Sequence, residues 1–198
     1  PNISDVQVMV DVLRKIGIDV TLNGSTIIIV PSEKIDTVVP DIAAKIRFSI
    51  VLIGAIVARM GEVHIPMPTG DKLGERRIDQ HILALEQFGA EVNLGETHIH
   101  ARAHSLQGRP FVMTFPSVSG TENSVLLACA AEGTSTISGI ALEPEVQSFM
   151  HFLRAIGGRI DGIGTDTVTV YGKSELGGAE FEIIPCLLYT SDAADDLL

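Results

Sequence analysis

The sequence predicts an α/β fold in which a unit of strand, helix, strand, helix and two-stranded hairpin is repeated, with helices inside and sheets outside. Three amphipathic segments end in glycine at Gly17, Gly89 and Gly157, spaced 72 and 68 residues apart, and each leads through a short strand and a glycine turn into a second apolar strand. Two further segments are apolar nearly all round and end at Gly61 and Gly133, again 72 residues apart. A helix apolar on every face belongs in an interior. Repeats of this size bury their faces only by packing on one another, so the prediction is one compact lobe.

In the first unit, Val6, Met9, Val10, Leu13 and Ile16 recur at helical spacing and form one buried face. Gly17 then accepts a left-handed cap. The strand around Val20, the turn Asn23-Gly24 and the apolar run Thr26 to Val30 read as a hairpin. The second unit has a helix from Arg47 to Met60, a strand from Glu62 to Met67, a helix from Ile78 to Phe88, and a hairpin through Val92, Gly95 and Thr97 to Ala101. In the third, the helix runs from Thr121 to Ala131 and the strand from Thr134 to Ile140. Its second helix runs from Glu145 to Ile156, followed by a hairpin through Ile160, Gly164 and Thr167 to Tyr171. Two units are complete; the first lacks its opening strand and helix.

Composition narrows the function. The 198 residues are 45% apolar, enough for a real core. Lys and Arg number 14 against 25 Asp and Glu, a net charge of -11, which argues against sequence-independent nucleic-acid binding. Positive charge is local, at Arg47, Lys72, Arg76 and Arg77, and suits a small anionic ligand. Cys129 and Cys186 make no disulfide framework, so a reducing, cytoplasmic setting is expected. The apolar run Ile50 to Ala58 is far short of a membrane span, which takes roughly 20 residues. The chain starts at Pro1 and is expected to be cut from something longer. Residues 186–198 break every earlier pattern and are expected to be a non-native tail, leaving 1–185 as a partial lobe.

The loop from Met67 to His81 is the richest in chemistry. Between an apolar strand and an amphipathic helix it sets Gly70, Asp71, Lys72, Gly74, Arg76 and Arg77. Arginines offer planar donor forks for phosphate, and a carboxylate at the tip can deliver a proton. His98 and His100 alternate onto one strand face, with His104 beyond, but no Cys or acidic ligand stands at a familiar metal spacing, and no metal is expected. Glu143 and Glu145, flanking Pro144, suit a helix start. Cys129 reads as a small core residue.

Arg47-Phe48-Ser49, the loop Pro68 to Arg76 and Asp79-Gln80-His81 resemble the UDP-N-acetylglucosamine 1-carboxyvinyltransferases, an enolpyruvyl transferase family. Phe115 to Asn123, Ala131-Glu132-Gly133-Thr134 and Glu143-Pro144-Glu145-Val146 resemble the same family, in order, between about Pro1 and Pro185. The resemblance implies one lobe of a two-lobed enzyme, inside-out and α/β barrel-like, with the active site between the lobes. It implies transfer of the enolpyruvyl group of phosphoenolpyruvate to the 3-hydroxyl of UDP-N-acetylglucosamine with release of phosphate, the first committed step towards peptidoglycan. No cofactor is implied.

Asp71 stands where most members carry a cysteine that donates a proton to the phosphoenolpyruvate methylene; some members use Asp. The resemblance also implies substrate contacts at Arg47, Arg76, Ile78, Asp79, Gln80, Phe115, Pro116, Ser117 and Val118. Arg77 replaces a common Pro and is a further candidate, while His81 is open between ligand contact and packing. The family's phosphoenolpyruvate-binding Lys-Asn pair would lie upstream of Pro1, and a ligand-contacting Asp in a second lobe, so this chain alone is expected to be inactive. The partners implied are the two small-molecule substrates and that second lobe, with no nucleic acid or membrane. Two other readings stay open: the sister 3-phosphoshikimate enzyme, and a non-catalytic UDP-sugar binding module.

Overall fold

The computed structural model describes residues 3–69 and 77–185. Helix α1 (Ser4–Lys15) leads into the hairpin β1 (Asp19–Asn23) and β2 (Thr26–Val30). Helix α2 (Leu52–Met60) is followed by β3 (Glu62–Pro66), α3 (Asp79–Gln87), β4 (Glu91–Leu94) and β5 (His98–Arg102). Then come β6 (Phe111–Val112), α4 (Val118–Ala130), β7 (Thr134–Ser138), α5 (Pro144–Ala155), β8 (Arg159–Asp161) and β9 (Thr167–Tyr171). The α/β repeat predicted from the sequence is the architecture found.

The three repeats end their amphipathic helices in the same way. Gly17, Gly89 and Gly157 have φ of 93°, 98° and 111°. In each case the next residue's amide reaches back five positions: Ile18 to the Leu13 carbonyl, Ala90 to Leu85, Gly158 to Leu153. This six-to-one bond satisfies a terminal carbonyl only if the capping residue takes a left-handed φ, which glycine does without strain.

The sheets repeat as well. Their strand orders are β1-β2, β3-β5-β4 and β6-β7-β9-β8. The hairpins pair antiparallel with β3 or β7, and β6 lies parallel to β7. Val38 bridges His64 of β3 in parallel, a one-residue counterpart of β6. The opening strands are therefore present in the second and third units, and very short. Register places Val30 opposite Asp19, Arg102 opposite Glu91 and Tyr171 opposite Arg159, so these hairpin positions correspond.

The core runs between sheets and helices. Ile99, Ala101, Val168 and Val170 of the two central strands are fully buried, as are Ile53, Leu85, Leu127 and Leu153 of the helices. α2 lies over β5, and α4 over β9. Helix α4 is buried along most of its length, including Thr121, Asn123 and Ser124.

Two helix starts differ from the sequence reading. Residues Arg47–Val51 form a tight 3-10 turn ahead of α2. Both the amide and the hydroxyl of Ser49 donate to the Ile46 carbonyl, at 3.3 and 2.8 Å, which holds the turn at a three-residue spacing. Helix α4 starts at Val118, earlier than expected, because the Ser117 hydroxyl accepts the Gly120 amide at 3.2 Å and caps it.

Candidate active site

The site is assembled where the first turns of α3 and α4 meet the turn ahead of α2. Arg47 Nη2 donates to the main-chain oxygen of Arg77 at 3.0 Å, tying that turn to the approach of α3. Arg77 Nη2 pairs with Asp79 Oδ2 at 2.9 Å, while Asp79 Oδ1 is buried with no hydrogen-bond partner. Ile78 packs partly into the core.

Gln80 is 1% exposed. Its amide donates to Thr114 Oγ1 at 2.5 Å, and its carbonyl oxygen accepts the Thr114 amide at 3.1 Å. That two-point grip joins the start of α3 to the segment entering α4. The backbones come close because Gly120 has no side chain: a Cβ there would stand 2.9 Å from Ser117 Oγ and 3.0 Å from both Gln80 Cβ and Met113 Cε. Phe115, 39% exposed, and exposed Pro116 flank the half-buried Ser117 and Val118.

Beneath this rim lies a polar link the sequence did not disclose. His81 is 2% exposed. Asn123 Nδ2 donates to its Nδ1 at 2.8 Å, so the ring proton sits on Nε2, which faces Ser119 Oγ at 3.1 Å. Burial first, and then the charge of Arg47, lower its pKa to about 4, against an opposing pull from Asp79. The ring is neutral near pH 7. Between ligand contact and packing, His81 is buried and hydrogen-bonded between helices.

Glu122, next along α4, is 6% exposed, and its Oε2 has no hydrogen-bond partner. Burial, reinforced by Glu145, pushes its pKa up to about 7. Cys129 is buried in the core with its thiol pushed up to about 11, and is not an activated nucleophile.

The structure thus brings Arg47, Arg77, Ile78, Asp79 and Gln80 together, with Phe115, Pro116, Ser117 and Val118 alongside across the Gln80–Thr114 link. Asp71 and Arg76 lie outside the described residues, as does the segment 186–198. The histidines of the second sheet are engaged with neighbours: His98 Nε2 faces Asp41 Oδ1 at 3.1 Å, Nδ1 faces Thr97 Oγ1 at 2.9 Å, and the His64 ring lies 4.7 Å away. Among the described residues no group of three His, Cys, Asp or Glu is placed to hold a metal ion, and no helix is long and apolar enough to cross a membrane. Ser119, Asn123 and Thr114 were missed by sequence reasoning. For Asn123 the one local signal is the polar run Thr121 to Ser124 inside a helix otherwise read as interior; Thr114 and Ser119 carry none.

A family model described as EPSP synthase (3-phosphoshikimate 1-carboxyvinyltransferase) matches residues 1–191. The chain belongs to the EPSP synthase family. Within this family it is 39% identical over 187 residues to the UDP-N-acetylglucosamine 1-carboxyvinyltransferase of Bradyrhizobium diazoefficiens, a match covering 93% of the chain and 43% of that relative. It is 36% identical over 186 residues to UDP-N-acetylglucosamine 1-carboxyvinyltransferase 1 of Caldanaerobacter subterraneus subsp. tengcongensis, covering 93% of the chain and 45% of the relative. The chain spans less than half the length of these curated relatives. In fold it matches the crystal structure of the enolpyruvyl transferase NikO from Streptomyces tendae, with a TM-score of 0.82 at 22% identity, over 96% of this chain and 46% of that one. An EPSP synthase from Acinetobacter baumannii matches with a TM-score of 0.63 at 18% identity, over 87% and 40% of the two chains. The predicted enolpyruvyl transferase lobe is the fold of this family.

Proposed function

We propose that the chain is part of a cytoplasmic enzyme that transfers the enolpyruvyl group of phosphoenolpyruvate to the 3-hydroxyl of UDP-N-acetylglucosamine, releasing phosphate. The observation that carries this reading is the 35–39% identity, over 93% of the chain, to curated relatives bearing the UDP-N-acetylglucosamine enzyme's name. Residues 1–185 are then most of one lobe with an incomplete first unit. A second lobe closes the site, and residues 186–198 are read as a non-native tail.

In this reading the sugar oxygen attacks C2 of the enol, and Asp71 gives a proton to the C3 methylene. The proton of the attacking hydroxyl passes to a base. Loss of a proton from C3 and departure of phosphate restore the double bond. For Asp71 to donate near neutral pH its carboxyl has to be held above the ordinary value near 4, as burial and nearby phosphate oxygens would do. Arg47, Arg76 and Arg77 supply guanidinium forks for phosphate or diphosphate oxygens. Ile78, Asp79 and Gln80, with Phe115, Pro116, Ser117 and Val118, line the nucleotide's approach. The buried Gln80 side chain leaves that residue's contribution to its main chain, where helix-start amides favour anions.

Titration of the chain with UDP-N-acetylglucosamine and, separately, with shikimate 3-phosphate tests the substrate class. Binding of the first alone is expected; preference for the second would move the assignment to the sister enzyme. Phosphate release from phosphoenolpyruvate, assayed in the two-lobed protein, separates turnover from a binding module. In an active two-lobed protein carrying Asp71, a thiol-directed epoxide is expected to leave the rate unchanged, since a carboxylate is the poorer nucleophile. Loss of activity on adding the epoxide would overturn that expectation.

A further inference from the structure

We propose that His81 is a positioning residue, which through Asn123 and Ser119 sets the spacing between residues 77–80 and 115–118 and so the shape of the nucleotide site. The inference deepens the reading above and rests on it for the identity of the ligand.

The geometry is that of a through-bolt. One ring nitrogen of His81 on α3 takes a hydrogen from the Asn123 amide, 2.8 Å away on the second turn of α4; the other faces Ser119, 3.1 Å away on its first turn. The Asn123 Oδ1 lies 1.8 Å from where a Cβ of Gly54 would stand and has no hydrogen-bond partner, so its amide is seated against α2 by packing. With the Asn123 NH2 on Nδ1, the His81 proton is on Nε2 and Ser119 Oγ accepts it. Ser119 lies between Ser117, which caps α4, and Gly120, against which Gln80 packs. On α3, Gln80 and Asp79 immediately precede the bolt. Both ring nitrogens are matched, as a polar ring this deeply buried requires, and their partners are two successive turns of α4 rather than α3 itself, so the contact fixes one helix against the other.

The test compares the 198-residue chain with two variants. His81→Leu/Asn123→Leu removes both partners together, so neither is left buried and unpaired. His81→Gln keeps a donor in reach of Ser119. Amide hydrogen exchange without ligand reads the positioning directly. In the double variant, exchange of Asp79 to Ile82 and of Ser119 to Asn123 is expected to rise at least tenfold while the last turn of α4 is unchanged, with His81→Gln intermediate. Unchanged exchange at these amides, or an equal rise along the whole of α4, overturns the proposal. Affinity for UDP-N-acetylglucosamine is read in parallel and is expected to fall about tenfold in the folded double variant, with partial recovery in His81→Gln. If the parent chain binds no UDP-N-acetylglucosamine, the functional reading fails, while the exchange data still decide the role of His81.

Discussion

The first and third repeat units share a hairpin and a capped helix, yet one is closed and the other open. In the third, Val168 and Val170 of β9 are fully buried between β7, β8 and α4; at the corresponding positions of β2, Ile27 and Ile29 are 42% and 55% exposed. Local sequence does not explain the difference, since β2 is the more apolar strand. Neighbours do: β9 has β7 on its outer edge and α4 above it, and among the described residues no strand or helix takes those places around β2. A strand's stability in this fold is set by the helix and strand that precede it, more than by its own side chains.

The largest effect should come from a charge placed at matched positions. Val170→Asp buries an unpaired carboxylate and is expected to cost about 4 kcal/mol or more, unfolding much of the chain, whereas Ile29→Asp should stay within about 0.5 kcal/mol. Urea unfolding of both checks this, and equal losses would show that the first hairpin is as closed as the third. Next come two glycines. Gly120→Ala drives a methyl into Ser117, Gln80 and Met113 and is expected to cost about 1–3 kcal/mol. Gly24→Ala, with φ of 59° and nothing within 4 Å of its Cβ, meets only backbone strain of roughly 1 kcal/mol.

The closed region should also carry a pH response made of two opposing parts. Glu122 titrates near pH 7 when folded and near 4.5 unfolded, so its contribution is complete below 4.5 and is lost as pH rises through 7. His81 is held neutral down to about pH 4, against 6.5 unfolded, so its part is complete above 6.5 and is lost as pH falls towards 4. Each slope is at most about 1.4 kcal/mol per pH unit. The parent chain should be nearly flat between them. Glu122→Gln should expose a stability that rises with pH, and His81→Leu/Asn123→Leu one that falls, both read from thermal midpoints across this range. The smallest effect expected on stability is Ile27→Thr/Ile29→Thr, which should leave the midpoint unchanged while reducing self-association in light scattering.

Much of this fold was legible because its signals are local. Gly17, Gly89 and Gly157 mark helix ends by what one backbone position must do, and Asn23-Gly24 marks a turn by two. The opening strands are expected from the repeat pattern but could not be located, since a single bridge at Val38 and two residues at Phe111 are too short to carry a period. α4 starts three residues before the sequence pattern places it, because Phe115 to Gly120 looks like a loop until Ser117 is seen to cap it. The candidate site divides the same way. Arg47 and Arg77 could be picked out by charge and Asp79 by the family resemblance, whereas Thr114, Ser119 and Asn123 act through partners 34 to 42 residues away. That distance leaves no trace in spacing.

Gly54 and Asn123 occupy what is in effect one volume, the amide oxygen filling the room a methyl would take. Neither position is free to drift alone: a larger residue at 54 demands a smaller one at 123, and that exchange dismantles the contact to His81. Variation at this mid-helix glycine would therefore be felt at the α3–α4 contact around His81, and a library that randomises 54 and 123 jointly should recover compensated pairs that single-site libraries miss.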